Sequence, residues 1–255
     1  MSANAKIKDW QGKSVWLIGA SAGIGEALAR DLSATGAKVV LSARGVERLN
    51  TLSAQLPNSS VVAFDFSDAA QTEAAWAQVK AVVGTPDLVI VNAGTYVAMP
   101  AKHFDVAGIR KQFDMNVMGP MNVTQQVLPA LIAAGGGHIS YVSSVAGYRG
   151  LPRAIAYGAS KSALTYMAQC LHIELGHKGI GVSVICPGFV KTDLTAQNNF
   201  HMPALITPQQ ASAAIMKGYA KGEFEIHFPK RFTRFLKVLE LLPYGMYEWI
   251  VRKTL

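Results

Sequence analysis

Apolar residues along the chain fall into short runs that alternate with segments of helical periodicity. Runs such as Ser14–Ile18 and Lys38–Ser42 are short and mostly apolar, and the segment after the first run places Ile24, Leu28 and Leu32 on one helical face. Nearly continuous apolar strands are typical of a sheet that has helices on both faces. The pattern therefore predicts a doubly wound parallel sheet in which strands and helices alternate.

The same pattern predicts the bounds of the elements. Strands are expected at 14–18, 38–42, 60–64, 87–91, 138–142, 181–185 and 224–228. Besides the helix that follows the first strand, helices are expected at 47–56, 69–83, 154–175 and 208–219. A long helical stretch is expected around 104–133, with Pro120 and Pro129 marking kinks or boundaries in it. No linker rich in Pro, Gly or Ser divides the chain, so we expect a single α/β Rossmann-type domain over residues 1–255.

Composition and charge exclude several classes of protein. Hydrophobic residues make up 50% of the chain and charged residues 16%, which excludes a disordered protein. The formal net charge of +8 suits an anionic cofactor or a lipid surface, and solubility alone explains it equally well. The sequence has no dense Lys/Arg stripe with interleaved aromatic residues, so we do not expect nucleic acid as a partner.

The cysteines and the N-terminal residues bear on metal binding and location. Cys170 and Cys186 form neither a CxxC pair nor a zinc pattern with the histidines, so no metal site is expected. Both lie in apolar stretches, which suits buried, reduced thiols in a reducing compartment. Segment 1–13 carries charge without an apolar core, unlike a secretory signal, and no apolar run is long enough to cross a bilayer. These features predict a cytoplasmic protein.

A glycine-rich turn joins the first strand to the first helix. It has the pattern GxxxGxG at Gly19, Gly23 and Gly25, with Ser21 and Ile24 between the glycines. Such a turn lets the backbone approach a phosphate and places the anion at a helix N-terminus. A glycine-rich loop is often only a turn, but its place between an apolar run and a patterned helix favours nucleotide binding.

The ends of the next strands bear on the choice of dinucleotide. Where a carboxylate would bind a ribose 2′-hydroxyl, the chain has Arg44, whose guanidinium matches a 2′-phosphate, so NADP is favoured over NAD. The alternative is that Arg44 is only a solvated residue at a strand end. Asp65 is a candidate acceptor for the adenine amino group or, alternatively, a turn cap with Ser67. The fourth strand ends, at the ligand-binding edge of such sheets, in Asn92, Ala93 and Gly94.

Tyr157 and Lys161 lie four residues apart on a predicted helix, and therefore on one face. Because a nearby cation favours a phenolate, Lys161 is expected to lower the pKa of Tyr157 and let it exchange a proton near neutral pH. Carbonyl reduction needs such a donor and a polarising hydrogen bond, which Ser144 can supply from a strand end. Each residue also has a purely structural interpretation. Tyr157 and Lys161 could be an exposed pair on a helix, Ser144 a turn residue after a strand, and Asn116 a buried amide with its hydrogen bonds satisfied. Their common placement at one sheet edge favours a carbonyl reductase.

Together these motifs resemble the short-chain dehydrogenase/reductase family, over the chain as far as Thr192. The resemblance implies hydride transfer between NADP(H), or else NAD(H), and a ketone, aldehyde or secondary alcohol. It implies homodimers or homotetramers assembled through helices 104–133 and 154–175. It also implies that Asn116 holds a water linking Lys161 to solvent. The implied catalytic residues are Asn116, Ser144, Tyr157 and Lys161; the implied cofactor contacts include Tyr157 and Lys161, Asp65 at the adenine, and Pro187, Gly188, Val190 and Thr192 at the nicotinamide carboxamide.

Two departures from the family pattern concern the cofactor half. Ile18 stands where the family often has Thr, which bears on hydrogen bonding within the turn. Ala22 stands where many NADP-using members have a basic residue, so Arg44 is expected to provide the phosphate preference alone.

Segment 193–206 is expected either to cover an apolar substrate or to be a loop that packs inward.

Segment 225–255 is a basic amphipathic C-terminal extension. Phe232, Phe235, Leu236 and Leu239 share one helical face in it, while the basic residues lie largely off that face. We expect it to pack on its own domain or on a sister subunit; the alternative is peripheral contact with a membrane. Two other functions stay open: a regulatory protein that senses NADP(H) without turnover, and a reductase of lipid ketones at a membrane surface.

Overall fold

A seven-stranded parallel sheet forms the centre of the computed structural model, which describes residues 3–254. The strand order across the sheet is β3-β2-β1-β4-β5-β6-β7, and each neighbouring pair is parallel. The predicted doubly wound α/β architecture is confirmed. The strands are β1 (Ser14–Ile18), β2 (Lys38–Ser42), β3 (Ser59–Val61), β4 (Leu88–Val91), β5 (His138–Val142), β6 (Gly181–Pro187) and β7 (Glu225–Phe228).

Helices follow the strands along the chain, and side-chain caps set the start of several of them. The carboxylate of Asp68, for example, accepts hydrogen bonds from the amides of Ala70 and Gln71, which have no partner within the first helical turn. The α-helices are α1 (Gly23–Ala34), α2 (Val46–Ser53), α3 (Ala69–Val83), α4 (Val106–Phe113), α5 (Gly119–Ala134), α6 (Ile155–Leu175), α7 (Asp193–Ala196), α8 (Pro208–Lys221), α9 (Lys230–Leu241) and α10 (Tyr244–Thr254).

Side chains along each central strand alternate between two hydrophobic cores, one on each face of the sheet. In β1, Trp16 belongs to the core that includes residues of α3, α5 and α6, and its ring stacks on Trp76 at 5.7 Å. The next residue, Leu17, belongs to the opposite core, with Leu32 of α1 and Ile215 of α8. Because both faces are covered, these strands are apolar throughout, as the sequence pattern indicated.

The predicted helical stretch at 104–133 is two helices joined by a π-helical turn, Asp114–Met118, so a boundary lies directly before Pro120, as expected. Proline at position 120 explains the interruption, since in a continuous α-helix its ring would clash with the carbonyl four residues earlier, at Asn116. Pro120 therefore lies in the first turn of α5, where it is tolerated, whereas Pro129 stays inside that helix. The interruption places Asn116 in an irregular turn, which often marks a functional site.

Two further bounds differ from the sequence prediction. The third strand was expected at 60–64 but ends at Val61, although the amides of Val62 and Phe64 still donate to β2 and the residue after it, at 3.0 and 3.2 Å. Helix α2 was expected to reach Leu56 and ends at Ser53. The other predicted bounds lie within two residues of the observed ones.

Helices α9 and α10 form a C-terminal hairpin, residues 230–254, that packs on the rest of the chain. Leu239 of α9 and Tyr247 and Val251 of α10 make a small core between the two helices. Within residues 3–254, no helix combines the length and the apolar character needed to cross a membrane. On the inner side of the hairpin, the ring of Phe232 lies 5.9 Å from that of Phe189 in the body of the protein.

Arg149 fastens this hairpin to the loop that connects β5 and α6. Its guanidinium lies 4.4 Å from the ring centroid of Tyr247, whose hydroxyl donates to the carbonyl of Gly150 at 2.8 Å. A cation at the end of α9 complements the carbonyls that lack helical partners. Arg149 Nη1 lies 2.8–3.2 Å from three of them, the carbonyl oxygens of Leu239, Glu240 and Leu242.

We expect Arg149→Ala to lower the free energy of unfolding by about 2 kcal/mol, because three carbonyls lose a charged donor and two tyrosine rings lose a cation. Chemical denaturation measures this change. Arg110→Ala is the control, since Arg110 is exposed at the end of α4 and should change the free energy by less than about 0.5 kcal/mol. Equal losses in the two variants would contradict the assigned contacts.

Candidate active site

A cleft of about 510 Å³ opens at the carboxyl edge of the sheet, between the ends of β1 and β4. The strand order reverses there, which is where doubly wound sheets bind ligands. The side-chain amide of Asn92 donates to the carbonyl of Gly19 at 2.8 Å and joins the two strand ends. Residues predicted from the sequence that line the cleft are Gly19, Ser21, Gly23, Ile24, Arg44, Asn92, Ala93, Gly94, Ser144, Tyr157, Lys161, Pro187, Gly188, Val190 and Thr192.

The glycine turn is built for close backbone approach. Gly19 has φ +84°, and a Cβ placed on it would lie 2.5 Å from the amide nitrogen of Ala93. Gly23 has φ +58°, and its Cβ would lie 2.9 Å from the methyl of Thr192. These positions accept only glycine without strain, and they leave the N-terminus of α1 open to the cleft. The arrangement fits the pyrophosphate of a dinucleotide.

Gly25 contributes in a different way, because it is not among the residues that line the cleft. A Cβ on Gly25 would lie 2.0 Å from the carbonyl oxygen of Gly19 and 2.7 Å from the side-chain nitrogen of Asn92. The missing side chain lets the first turn of α1 pack directly on the end of β1. Gly25 thus supports the turn on the side that faces away from the cleft.

The outer end of the cleft holds two arginines, where the sequence predicted one. Arg44 follows β2 and Arg48 lies in the first turn of α2; both are exposed and both line the cleft. The sequence signal for Arg48 was its place in the first turn of the helix that follows β2, close to the carboxyl edge of the sheet. Two guanidinium groups at one mouth create a site suited to phosphate.

Asp65 lies away from the residues that line the cleft. Its carboxylate accepts hydrogen bonds from the amide and the hydroxyl of Ser67, at 3.0 and 2.6 Å. The structure therefore shows the turn-cap alternative for Asp65. The nearest cleft-lining residues of this segment are its neighbours Phe64 and Phe66, whose rings supply an apolar wall.

Tyr157 lies half-buried in the first turn of α6, beside the end of β5. Burial raises the pKa of its phenol to about 12; a hydrogen bond with Ser144 acts in the opposite direction, and the neighbouring Tyr96 adds to the increase. The rings of Tyr96 and Tyr157 meet edge to face at 4.9 Å. Ser144 in turn caps the short turn after β5, accepting from the amide of Ala146 at 3.1 Å. The Tyr157 phenol and the Ser144 hydroxyl are thus adjacent.

Lys161 lies inside the protein, with 3% of its surface exposed. Its ammonium group donates to the carbonyl of Val142 at 2.8 Å and lies 5.8 Å from the ring centroid of Tyr157. Burial lowers the pKa of Lys161 to about 8. The expected lowering of the Tyr157 pKa by Lys161 is not seen: Lys161 is not among the groups that shift this pKa, and burial of the phenol raises it.

Asn116 is fully buried behind the cleft, and its side-chain amide makes three hydrogen bonds. Its oxygen accepts from the amide of Thr95 at 2.8 Å, and its nitrogen donates to the carbonyl of Thr95 and the hydroxyl of Ser160, at 2.9 and 3.0 Å. A Cβ on Gly94 would lie 3.1 Å from the Asn116 oxygen and 3.3 Å from Lys161 Nζ, so the two groups flank Gly94. The amide thereby joins the loop after β4 to α6.

The segment after β6 completes the cleft. The amide of Gly188 donates to the carbonyl of Phe228 at 2.7 Å, and Val190 forms a bridge with Ile206. Within segment 193–206, Leu194 lines the cleft while Ile206 packs inward, so each alternative predicted for the segment describes part of it. Three aromatic rings meet beside the cleft: Phe189 lies 5.8 Å from Phe200 and 5.9 Å from Phe232.

Comparison with known proteins identifies the family. The short chain dehydrogenase family model matches residues 13–202. An uncharacterised oxidoreductase of Myxococcus xanthus is 33% identical over 245 residues, which cover 94% of this chain and 97% of that protein. The chain therefore belongs to the short-chain dehydrogenase/reductase family, and the resemblance noted in the sequence is confirmed.

Solved structures share the fold. A short-chain dehydrogenase/reductase from Burkholderia phymatum, solved in complex with NAD, has a TM-score of 0.82 at 22% identity; the match covers 91% of this chain and 94% of that one. A variant of the actinorhodin polyketide ketoreductase, solved with NADPH, has a TM-score of 0.78 at 24% identity, with coverages of 85% and 95%. At these identities the similarity establishes the fold.

The buried lysine makes stability depend on pH. The pKa of an exposed lysine is about 10.5, whereas the pKa of Lys161 in the folded protein is about 8. Between these two pH values the unfolded chain therefore binds more protons than the folded one. The free energy of unfolding consequently rises with pH over this interval. Against Lys161→Met, the wild-type protein should gain about 2 kcal/mol of unfolding free energy between about pH 7 and about pH 9.5. Denaturation of both proteins at each pH measures the gain, and a constant difference would refute it.

Proposed function

We propose that this protein is an oxidoreductase that transfers a hydride between NADP(H) and a ketone or aldehyde, or the corresponding alcohol. One observation carries the proposal: Ser144, Tyr157 and Lys161 line the same cleft as the glycine turn. A dinucleotide held by the turn would extend along the sheet edge toward the tyrosine. Family membership supports the reaction class.

The chain's own residues have distinct roles in this proposal. The nicotinamide supplies or accepts the hydride. In the direction of reduction, Tyr157 donates its proton to the carbonyl oxygen, so that hydride and proton together give the alcohol. Ser144 donates a hydrogen bond to the same oxygen as it gains charge. Lys161, whose pKa of about 8 keeps it protonated at neutral pH, stabilises the phenolate that remains. Asn116 is proposed to hold a water that connects Lys161 to solvent.

The preference for NADP is supported by Arg44 and Arg48, which both line the outer end of the cleft. In the family comparison, one structural neighbour holds NAD and another NADPH, so similarity supports a nicotinamide cofactor of either kind. Two exposed guanidinium groups at one end of the cleft favour the additional phosphate. Asp65, in contact with Ser67, is the least supported of the proposed cofactor residues.

The proposed substrate is apolar. Leu194 lines the cleft, and the rings of Phe189 and Phe200 lie beside it. We also propose a homodimer or homotetramer, supported by the exposed Tyr166 and Ile173 on α6. The free thiols of Cys170 and Cys186 support a reducing, cytoplasmic setting.

Tyr157→Phe should abolish turnover and leave cofactor binding nearly unchanged, because it removes only the transferred proton. We expect a loss of at least about 100-fold in kcat for NADPH-dependent reduction across a panel of carbonyl compounds. Tyr166→Phe is the matched control, since Tyr166 lies on the same helix but is exposed. Wild-type turnover by Tyr157→Phe would exclude Tyr157 as the donor. Binding without turnover in the wild-type protein would favour the sensor alternative.

Arg44→Ala combined with Arg48→Ala should weaken NADPH binding by about tenfold and leave NADH binding unchanged, since two phosphate ligands are lost. Cofactor titration, followed by the fluorescence of the reduced nicotinamide, measures both constants. Arg110→Ala serves again as the control for the loss of positive charge. If both cofactors weaken equally, the arginines act on the shared part of the dinucleotide and the proposed preference is wrong.

A further inference from the structure

The outer side of α9 exposes large apolar side chains together with arginines. Phe235, Val238 and Leu241 are 56%, 60% and 85% exposed, and their spacing of three residues places them along one arc of the helix. Arg231 and Arg234 are also exposed and fall within the same arc. The face predicted from the sequence is therefore shifted, because Phe235 does not pack inward with Leu236 and Leu239.

Helix α10 repeats this mixture. Trp249 is 59% exposed and Met246 is exposed as well, and the two lie three residues apart. Arg252 and Lys253 share that exposed side, and the Lys253 ammonium lies 4.3 Å from the ring centroid of Trp249. Both helices of the hairpin thus present aromatic or aliphatic side chains beside basic ones to the outside.

The inner side of the hairpin makes contacts within the protein, so the opposite side of each helix faces solvent. Leu239, Tyr247 and Val251 pack between the helices, and Arg149 ties the end of α9 to the body of the protein. The exposed apolar residues are therefore a stable surface feature. Large apolar patches rimmed by polar residues are typical of interaction surfaces.

Charge distinguishes between occupants of this surface. Residues 230–254 contain six basic side chains and two acidic ones. Lys230, Lys237 and Arg252 form ion pairs with Glu223, Glu225 and Glu248, so the exposed Arg231, Arg234 and Lys253 supply the positive charge of the outer side. A second copy that docked through the same face would bring these like charges together. Anionic lipid headgroups complement them, and aromatic and aliphatic side chains can enter the interface between headgroups and acyl chains.

We propose that the outer face of the C-terminal hairpin binds the surface of a membrane that contains anionic lipids. Phe235, Leu241 and Trp249 enter the interfacial layer, and Arg231 and Arg234 contact phosphate groups beside them. The body of the protein stays outside the bilayer. This surface is separate from the cleft, so the binding does not depend on the proposed reaction.

Flotation of the full-length protein with vesicles tests the proposal. The protein should float with vesicles of phosphatidylcholine and phosphatidylglycerol, should float less as salt is added, and should not float with phosphatidylcholine alone. Two double variants, Leu241→Ser with Trp249→Ser and Arg231→Gln with Arg234→Gln, should each lower the partition coefficient about tenfold.

The control is Val82→Ser with Val106→Ser, which removes two exposed apolar side chains elsewhere and should leave partition unchanged. Circular dichroism verifies that each variant is folded. Absence of flotation with anionic vesicles, or equal partition of all variants, overturns the proposal. Sedimentation identifies the competing occupant: if Leu241→Ser with Trp249→Ser dissociates an oligomer and the wild-type protein does not float, a second copy covers this face.

Discussion

The burial of Lys161 is the constraint on which the site depends. Removing an ammonium group from water is costly unless a partner accepts its hydrogen bonds, and here the carbonyl of Val142 does so at the end of β5. Room for the side chain comes from missing side chains nearby: a Cβ on Gly94 would lie 3.3 Å from Lys161 Nζ, and one on Gly147 would lie 2.8 Å from the Lys161 backbone. The lysine can be buried only where β4, β5 and α6 meet in this way.

This constraint extends to the loop between the catalytic candidates Ser144 and Tyr157. Three consecutive residues of that loop contact the C-terminal part of the chain: the hydroxyl of Tyr148 donates to Glu225, Arg149 reaches the end of α9, and the carbonyl of Gly150 accepts from α10. Glu225 also pairs with Lys237 of α9. The C-terminal segment, which lies beyond the match to the family model, therefore packs against the loop between Ser144 and Tyr157.

Much of this organisation was predictable from the sequence, because it depends on local patterns. Apolar runs with helical segments between them predicted the parallel sheet, since strands covered on both faces cannot alternate polar and apolar residues. Once that sheet was predicted, the position of Gly19, Asn92 and Ser144 at strand ends placed them on one edge. The predicted bounds differ at β3, which ends at Val61, and at α2, which ends at Ser53. Pro120 indicated a boundary in the stretch 104–133, but not that it takes the form of a π-helical turn.

Only the tertiary structure determines which side chains are buried and which contacts form between segments distant in sequence. Spacing alone placed Lys161 beside Tyr157, but not the burial that raises the pKa of the phenol and lowers that of the amine. Likewise, the periodicity of α9 showed an amphipathic helix, but only the fold shows that Phe232 packs against Phe189, distant in sequence, while Phe235 stays exposed. A sequence records which side chains share a face; the extent to which water reaches them depends on segments that meet only after folding.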